Sequence, residues 1–121
     1  MSSLKINVVN KEGRVPVTVL QLIGQVDAST YTSLQEKAEE EKKEGADYML
    51  LDMTEVGYMS SAGFKAMHSI YSMLGGITDG GKTPHLGLLN PTDEVSRIVK
   101  TLGFDSYINI YSDLDEAISA F

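Results

Sequence analysis

The stretch Leu50-Leu51-Asp52-Met53-Thr54-Glu55-Val56-Gly57-Tyr58-Met59-Ser60-Ser61-Ala62-Gly63-Phe64 constrains this chain more than any other. It reads as a buried strand ending at Asp52, a short loop, and a helix from about Ala62 to Leu74. A strand feeding straight into a helix is the unit of an α/β fold. Ser60 and Ser61 stand where that helix begins. The first backbone N–H groups of a helix have no partner inside it, so they favour an oxygen acceptor or an anion. A serine there is either a cap or a place where added phosphate is electrostatically welcome.

The rest of the chain extends the α/β pattern. Leu4, Ile6 and Val8 alternate with Lys5 and Asn7, the turn Asn10 to Arg14 follows, and Val15, Val17 and Val19 lead into Leu20, Leu22 and Ile23. Two such runs joined by a Gly-containing loop predict an antiparallel hairpin. Gly24 to Ser29 reads as a turn and helix start. Tyr31, Leu34 and Ala38 then form a narrow apolar stripe that ends before Gly45. In the helix after Ser61, Phe64, Met67, Tyr71 and Leu74 share one face, and Gly75-Gly76 ends it.

Leu86 to Leu89 is a further buried strand. Asn90-Pro91-Thr92 opens a helix whose Val95, Ile98, Val99 and Leu102 are expected to face inward, with Gly103 closing it. Ile108 to Tyr111 is a last strand, and Ser112 or Asp113 caps a final short helix through Ala117, Ile118 and Phe121. The predicted order is β-β-α-β-α-β-α-β-α. It describes an N-terminal antiparallel hairpin joined to a mixed, partly parallel sheet with about four helices, and right-handed crossovers between the parallel strands.

Composition narrows the class of function. A chain of 121 residues fits one domain, residues 1–121. There is no cysteine, so neither a disulfide framework nor thiolate chemistry is expected. The first residues, Met1 to Lys5, lack the apolar core of a signal peptide, and no apolar run approaches the about 20 residues of a membrane span. A cytoplasmic protein without membrane contact is the expectation. The formal net charge is −7. Lys37, Lys42 and Lys43 lie among Glu36, Glu39, Glu40, Glu41 and Glu44, which cancels the basic field that direct nucleic-acid binding needs.

Three features could carry catalysis or ligand binding. Gly76 to Thr83 has the spacing of a phosphate-binding P-loop, but a helix precedes it and a strand follows, the reverse of what that loop requires. A Gly-rich surface loop fits better. His68 lies seven residues beyond Ser61, about 10 Å along a helix. That is too far for a nucleophile–base pair, which needs about 3 Å. His85 stands alone at a strand start, so no hydrolase triad or zinc site is expected. Asp27, Asp52 and Glu55 are carboxylates that could gather near the carboxyl ends of strands.

The order and spacing of several segments carry more weight. These are Gly24-Gln25-Val26-Asp27, the Leu50 to Phe64 stretch, Leu88-Leu89-Asn90-Pro91, Val95-Ser96-Arg97-Ile98-Val99, Leu102-Gly103-Phe104, and Asp113 to Ile118. Together they resemble the STAS domain of bacterial anti-sigma factor antagonists over nearly the whole chain. In that family the strand–loop–helix motif commonly reads Asp-Ser-Ser/Thr-Gly-Leu. The first serine after the aspartate is phosphorylated by the cognate anti-sigma factor, which is a serine kinase. Aligned on Gly63, the phosphoacceptor position falls on Ser61, Ala62 takes the second Ser/Thr place and Phe64 the leucine place. Ser60 stands where the family has aspartate, which removes a charge and makes Ser60 a second candidate acceptor.

The resemblance implies a partner switch and no catalysis by this chain. The unphosphorylated antagonist binds the anti-sigma factor kinase, phosphorylation at the Ser61 position breaks that contact, and a serine phosphatase restores it. ATP belongs to the kinase, so no cofactor is expected here. Asp27, Ser60, Ser61, Ala62 and Gly63 would form the partner-binding lip of a protein expected to be monomeric. A non-phosphorylated STAS scaffold or transporter-associated subunit is the alternative, motivated by Ser60 and Ala62. A small-molecule or nucleotide binder using Gly76 to Thr83 is a third.

Overall fold

The structure, a computed structural model, describes residues 4–75, 85–106 and 108–121. The apolar/polar alternation of the first residues forms strand β1 (Leu4–Glu12), which pairs antiparallel with β2 (Pro16–Val26). Helix α1 (Tyr31–Lys43), strand β3 (Met49–Met59), helix α2 (Ser61–Met73) and strand β4 (Leu86–Leu89) follow. Helix α3 (Asp93–Thr101), a 3-10 turn at Phe104–Ser106, strand β5 (Asn109–Tyr111) and helix α4 (Leu114–Ala120) complete the chain. The five strands lie in the order β1-β2-β3-β4-β5, and every pair after the first is parallel. The α/β order, the hairpin and the four helices thus match the sequence reading.

Alternation along each strand sends side chains to two cores. Leu20 and Leu22 of β2, Met49 and Leu51 of β3, and Leu86 and Leu88 of β4 join the larger one with Leu34, Phe64, Met67 and Val99 of the helices. Val17, Val19, Leu50 and Leu89 point the other way and pack with Ala117, Ile118 and Phe121 of α4. The sheet is therefore covered by α1, α2 and α3 on one face and by α4 on the other.

Strand β1 runs to Glu12, into the expected Asn10 to Arg14 turn, and β5 starts one residue late at Asn109, but two boundaries differ more widely from the sequence reading. Strand β3 does not stop at Asp52 but continues to Met59, alongside the end of β2. Its register slips twice, between the Gln21 and Ile23 pairings and between the Gly24 and Val26 pairings. Each slip inserts an extra β3 residue, so the buried side chains Met53, Val56 and Met59 recur every third residue rather than every second. The Asp52 carboxylate accepts from both the N–H and the hydroxyl of Thr54 beside the first slip. The other difference is at the end of β2, where Gly24 to Val26 still belong to the strand and α1 begins only at Tyr31.

Helix α3 ends at Thr101 with Leu102 as its C-cap. Val95 and Val99 are buried as expected, but Ile98 is only half-buried and Leu102, the C-cap, is not inward: it still donates its N–H to the Ile98 carbonyl at 2.9 Å, yet is 54% exposed. Of the two cap candidates for α4, Asp113 is the residue used, its carboxylate accepting from the Glu116 N–H at 2.9 Å.

Candidate functional site

Parallel pairing brings the ends of β2 and β3 together, Val26 opposite Met59. The Ser60 N–H then donates to the Val26 carbonyl at 2.8 Å, closing the corner from which α2 departs. Ser60 is extended (φ −85°, ψ 176°) and is the N-cap residue. The first α2 bond runs from the Phe64 N–H to the Ser60 carbonyl at 3.1 Å. The N–H groups of Ser61, Ala62 and Gly63 precede that bond and have no partner within the helix. The first turn of α2 carries no acidic side chain to meet them.

The two serines differ sharply. The Ser60 hydroxyl oxygen is buried, makes no cap bond and has no hydrogen-bond partner. Ser61, one residue later, is exposed at the head of the helix. Ala62 is half-buried beside it. Gly63 is buried, so of the five residues expected to form the lip it contributes packing and not surface. A Cβ there would stand 2.5 Å from Met59 Cγ, 2.9 Å from Val26 Cγ1 and 3.0 Å from the Val26 carbonyl. Glycine lets α2 start directly against the ends of β2 and β3, and that close approach sets where Ser61 emerges.

Asp27 follows Val26 at the same corner and is half-buried. Its carboxylate accepts from the Ser29 N–H at 2.9 Å and the Ser29 hydroxyl at 2.6 Å. Thr30 closes the turn, its hydroxyl donating to the Gln25 carbonyl and accepting from the Asp27 N–H. Asp27 is thus placed beside the serines by the turn it builds. Asp52 and Glu55 do not join it, since both lie within β3. Asp52 holds Thr54, whose hydroxyl accepts from the Asn90 side chain at 3.3 Å.

The histidines serve elsewhere. His85 stacks on Tyr48, with ring centroids 4.5 Å apart, at the opposite end of β3 from Ser60. Nearby, a 2.8 Å hydrogen bond and the charge of Lys42 hold the Asp47 carboxyl below its ordinary range. His68 lies on α2 and stacks on Phe104 at 6.0 Å. Burial pushes the Tyr71 phenol up. Among the described residues no group of His, Cys, Asp and Glu is arranged to hold a metal ion. The P-loop-like segment Gly76 to Thr83 lies outside the described residues.

A feature the sequence reading missed adjoins the serines. A groove of about 910 Å³ runs from Ser60 and Ser61 between α2 and the end of α3. Phe64, Lys65 and His68 form one wall, Ile98 and Leu102 the other, and Phe104 lies between them. Leu102 continues the Val95–Val99 spacing of a core face, which hides this wall in the sequence.

The STAS domain family model matches residues 8–117. The chain belongs to the STAS domain family. Its fold is similar to that of an anti-sigma factor antagonist from Mycobacterium paratuberculosis, with TM-score 0.79 and 22% identity over 96% of this chain and 92% of that one. It is also similar to the anti-sigma factor antagonist SpoIIAA in its unphosphorylated form (TM-score 0.72, 19% identity, 96% and 93% covered). The Bacillus cell fate determinant SpoIIAA in its phosphorylated form is similar as well (TM-score 0.66, 18% identity, 96% of each chain). No curated protein sequence matches the chain. Among the described residues no helix is long and apolar enough to cross a membrane.

Proposed function

We propose that this chain is an anti-sigma factor antagonist in a phosphorylation-controlled partner switch. Unphosphorylated, it binds an anti-sigma factor serine kinase in the cytoplasm. Phosphorylation of Ser61 releases it, and a serine phosphatase restores binding. The observation that carries this reading is the contrast at the head of α2, where the Ser61 side chain is presented to solvent and the Ser60 hydroxyl is shut in. A kinase must reach its acceptor oxygen, so Ser61 is the acceptor and Ser60 is not.

The chemistry of the corner supports the switch. Phosphate adds about −1.5 to −2 charge. The unpaired first-turn N–H groups of α2 can hold that charge without refolding the domain. The change then falls on the contact surface itself, where a partner fitted to a neutral hydroxyl would meet a solvated dianion. Both forms of SpoIIAA share this fold, which supports a switch that acts locally. Asp27 and the exposed part of Ser60–Ala62 supply the rest of the lip.

Phosphosite mapping by mass spectrometry of protein from its native cells tests the proposal, with the Ser60–Ser61 peptide fragmented to separate the two. Phosphate on Ser61 is expected. Binding to the cognate kinase should survive Ser61→Ala and weaken more than ~100-fold in Ser61→Asp. Kinase binding by Ser61→Asp as tight as wild type would defeat the switch. The scaffold or transporter-associated reading is favoured by one observation, the neutral, buried Ser60 where the family has a carboxylate. Protein that never carries phosphate and co-purifies with a large assembly would establish it instead.

A further inference from the structure

We infer that the groove between α2 and α3 is the docking site for an acidic amphipathic helix of the partner protein. This deepens the switch proposed above and rests on it for the partner's identity. Among the described residues three large apolar side chains are exposed: Leu102 (54%), Tyr58 (47%) and Ile23 (39%). Leu102 and Tyr58 both belong to this groove. Singly exposed apolar residues are ordinary, but their concentration around one concave apolar surface marks a binding site.

The wall has the geometry of a helix-binding trough. Ser61, Phe64, Lys65 and His68 follow the i, i+3, i+4, i+7 spacing of one helix face, and Ile98 of α3 and its C-cap Leu102 stand at i, i+4 across the groove. Ser61 to His68 spans about 10 Å at ~1.5 Å per residue, which suits two turns of an incoming helix with apolar anchors.

Charge selects the kind of helix. The chain carries a net charge of −7, yet no carboxylate lines the groove among the described residues. Lys65 is its formal charge, and α2 contains no Asp or Glu over its whole length. Glu94 and Asp105, the acids closest in sequence to its far wall, are exposed outside the lining. The positive end of the α2 dipole opens at the same place, by Ser61. An occupant with apolar residues on one face and acidic residues along its edge is complementary to this surface.

Other occupants fit less well. A lipid chain needs a pocket that encloses most of its surface, whereas Leu102 and Tyr58 stand about half exposed at this groove. A second copy of this chain could offer its acidic α1, but the apolar residues Leu34 and Ala38 of that helix are already buried inward. Phosphate on Ser61 would place a dianion at the mouth of the groove, beside the acidic edge of the bound helix. Release on phosphorylation then follows from like-charge repulsion in the same site.

The test uses the full isotope-labelled chain and a synthetic amphipathic peptide with Leu at i, i+3, i+4 and i+7, flanked by Glu. Chemical shifts should move along α2, the end of α3 and Phe104, and the charge-reversed peptide with Lys for Glu should bind roughly tenfold more weakly. Lys65→Glu and Leu102→Asp, both at exposed positions, should each weaken the acidic peptide by about tenfold with unchanged melting. Equal binding of the two peptides, or shifts elsewhere on the molecule, overturns the inference. Shifts of the same residues with phosphatidylglycerol vesicles but not with peptide would assign the groove to lipid. Dimerisation in sedimentation that Leu102→Asp abolishes would assign it to a second copy, and either result overturns the helix. The peptide needs no phosphate, so its failure leaves phosphosite mapping intact. Peptide binding without phosphate on Ser61 would remove the switch and keep the groove.

Discussion

At the scale of single residues, Gly63 and Ser61 act together. Ser61 faces solvent because α2 starts hard against the ends of β2 and β3, and it can start there because residue 63 has no Cβ. The Gly63→Ala substitution sets two effects against each other. Alanine favours the helix by up to about 1 kcal/mol. Its methyl would enter space occupied by Val26, which is 0% exposed, and Met59, which is 3% exposed, and would press on the Val26 carbonyl. Overpacking of this kind costs typically ~1–3 kcal/mol, so a net loss of up to about 2 kcal/mol is expected in urea unfolding. A more stable Gly63→Ala protein would show that the corner yields easily. The sequence shows a glycine three residues into a helix but not why it is there. The reason lies in Val26, which is far away in sequence and adjacent only once β2 and β3 pair.

At the scale of elements, helix starts were more legible than strand ends. Asp113 and Thr92 each precede a run with helical periodicity, and each side chain does accept from the backbone N–H three residues on. The second half of β3 was hidden for a physical reason. Two register slips turned a period of two into a spacing of three at Met53, Val56 and Met59, and Gly57 added a turn signal. The groove was hidden because Leu102, the C-cap of α3, keeps the spacing of a core face while standing 54% exposed. Caps matter most where helices are short, and α4 has 7 residues resting on the smaller core. Asp113→Ala removes the 2.9 Å bond to the Glu116 N–H and should cost about 1 kcal/mol. Hydrogen exchange should quicken in α4 and stay slow at Leu51 and Leu88, which belong to the other core. Uniform loss of protection over both faces would show that the two cores open as one unit.

At the scale of the whole molecule, the sheet separates a working corner from a supporting face. Ser61, Asp27 and the groove lie at the ends and sides of elements that pack on the larger core, while α4 and its cluster cover the opposite face. A switch that acts by surface charge should leave this division intact, whereas one that acts by refolding should disturb both sides. Ser61→Asp distinguishes them with the isolated protein. An aspartate in the first turn of α2 meets unpaired N–H groups and the positive end of the helix, which stabilises by about 0.3–1 kcal/mol. The melting temperature should therefore rise by about 1–4 °C while partner binding is lost. Shift changes should be confined to the head of α2, the Asp27 turn and the groove. The rise should shrink at high salt, because the interaction is exposed and screened. A fall in melting temperature, or shift changes reaching Ala117 and Ile118 in α4, would mean that negative charge at residue 61 is transmitted through the sheet. Loss of binding joined to a gain in stability is what a surface mechanism requires, since the charge that expels the partner is one the folded domain itself accommodates.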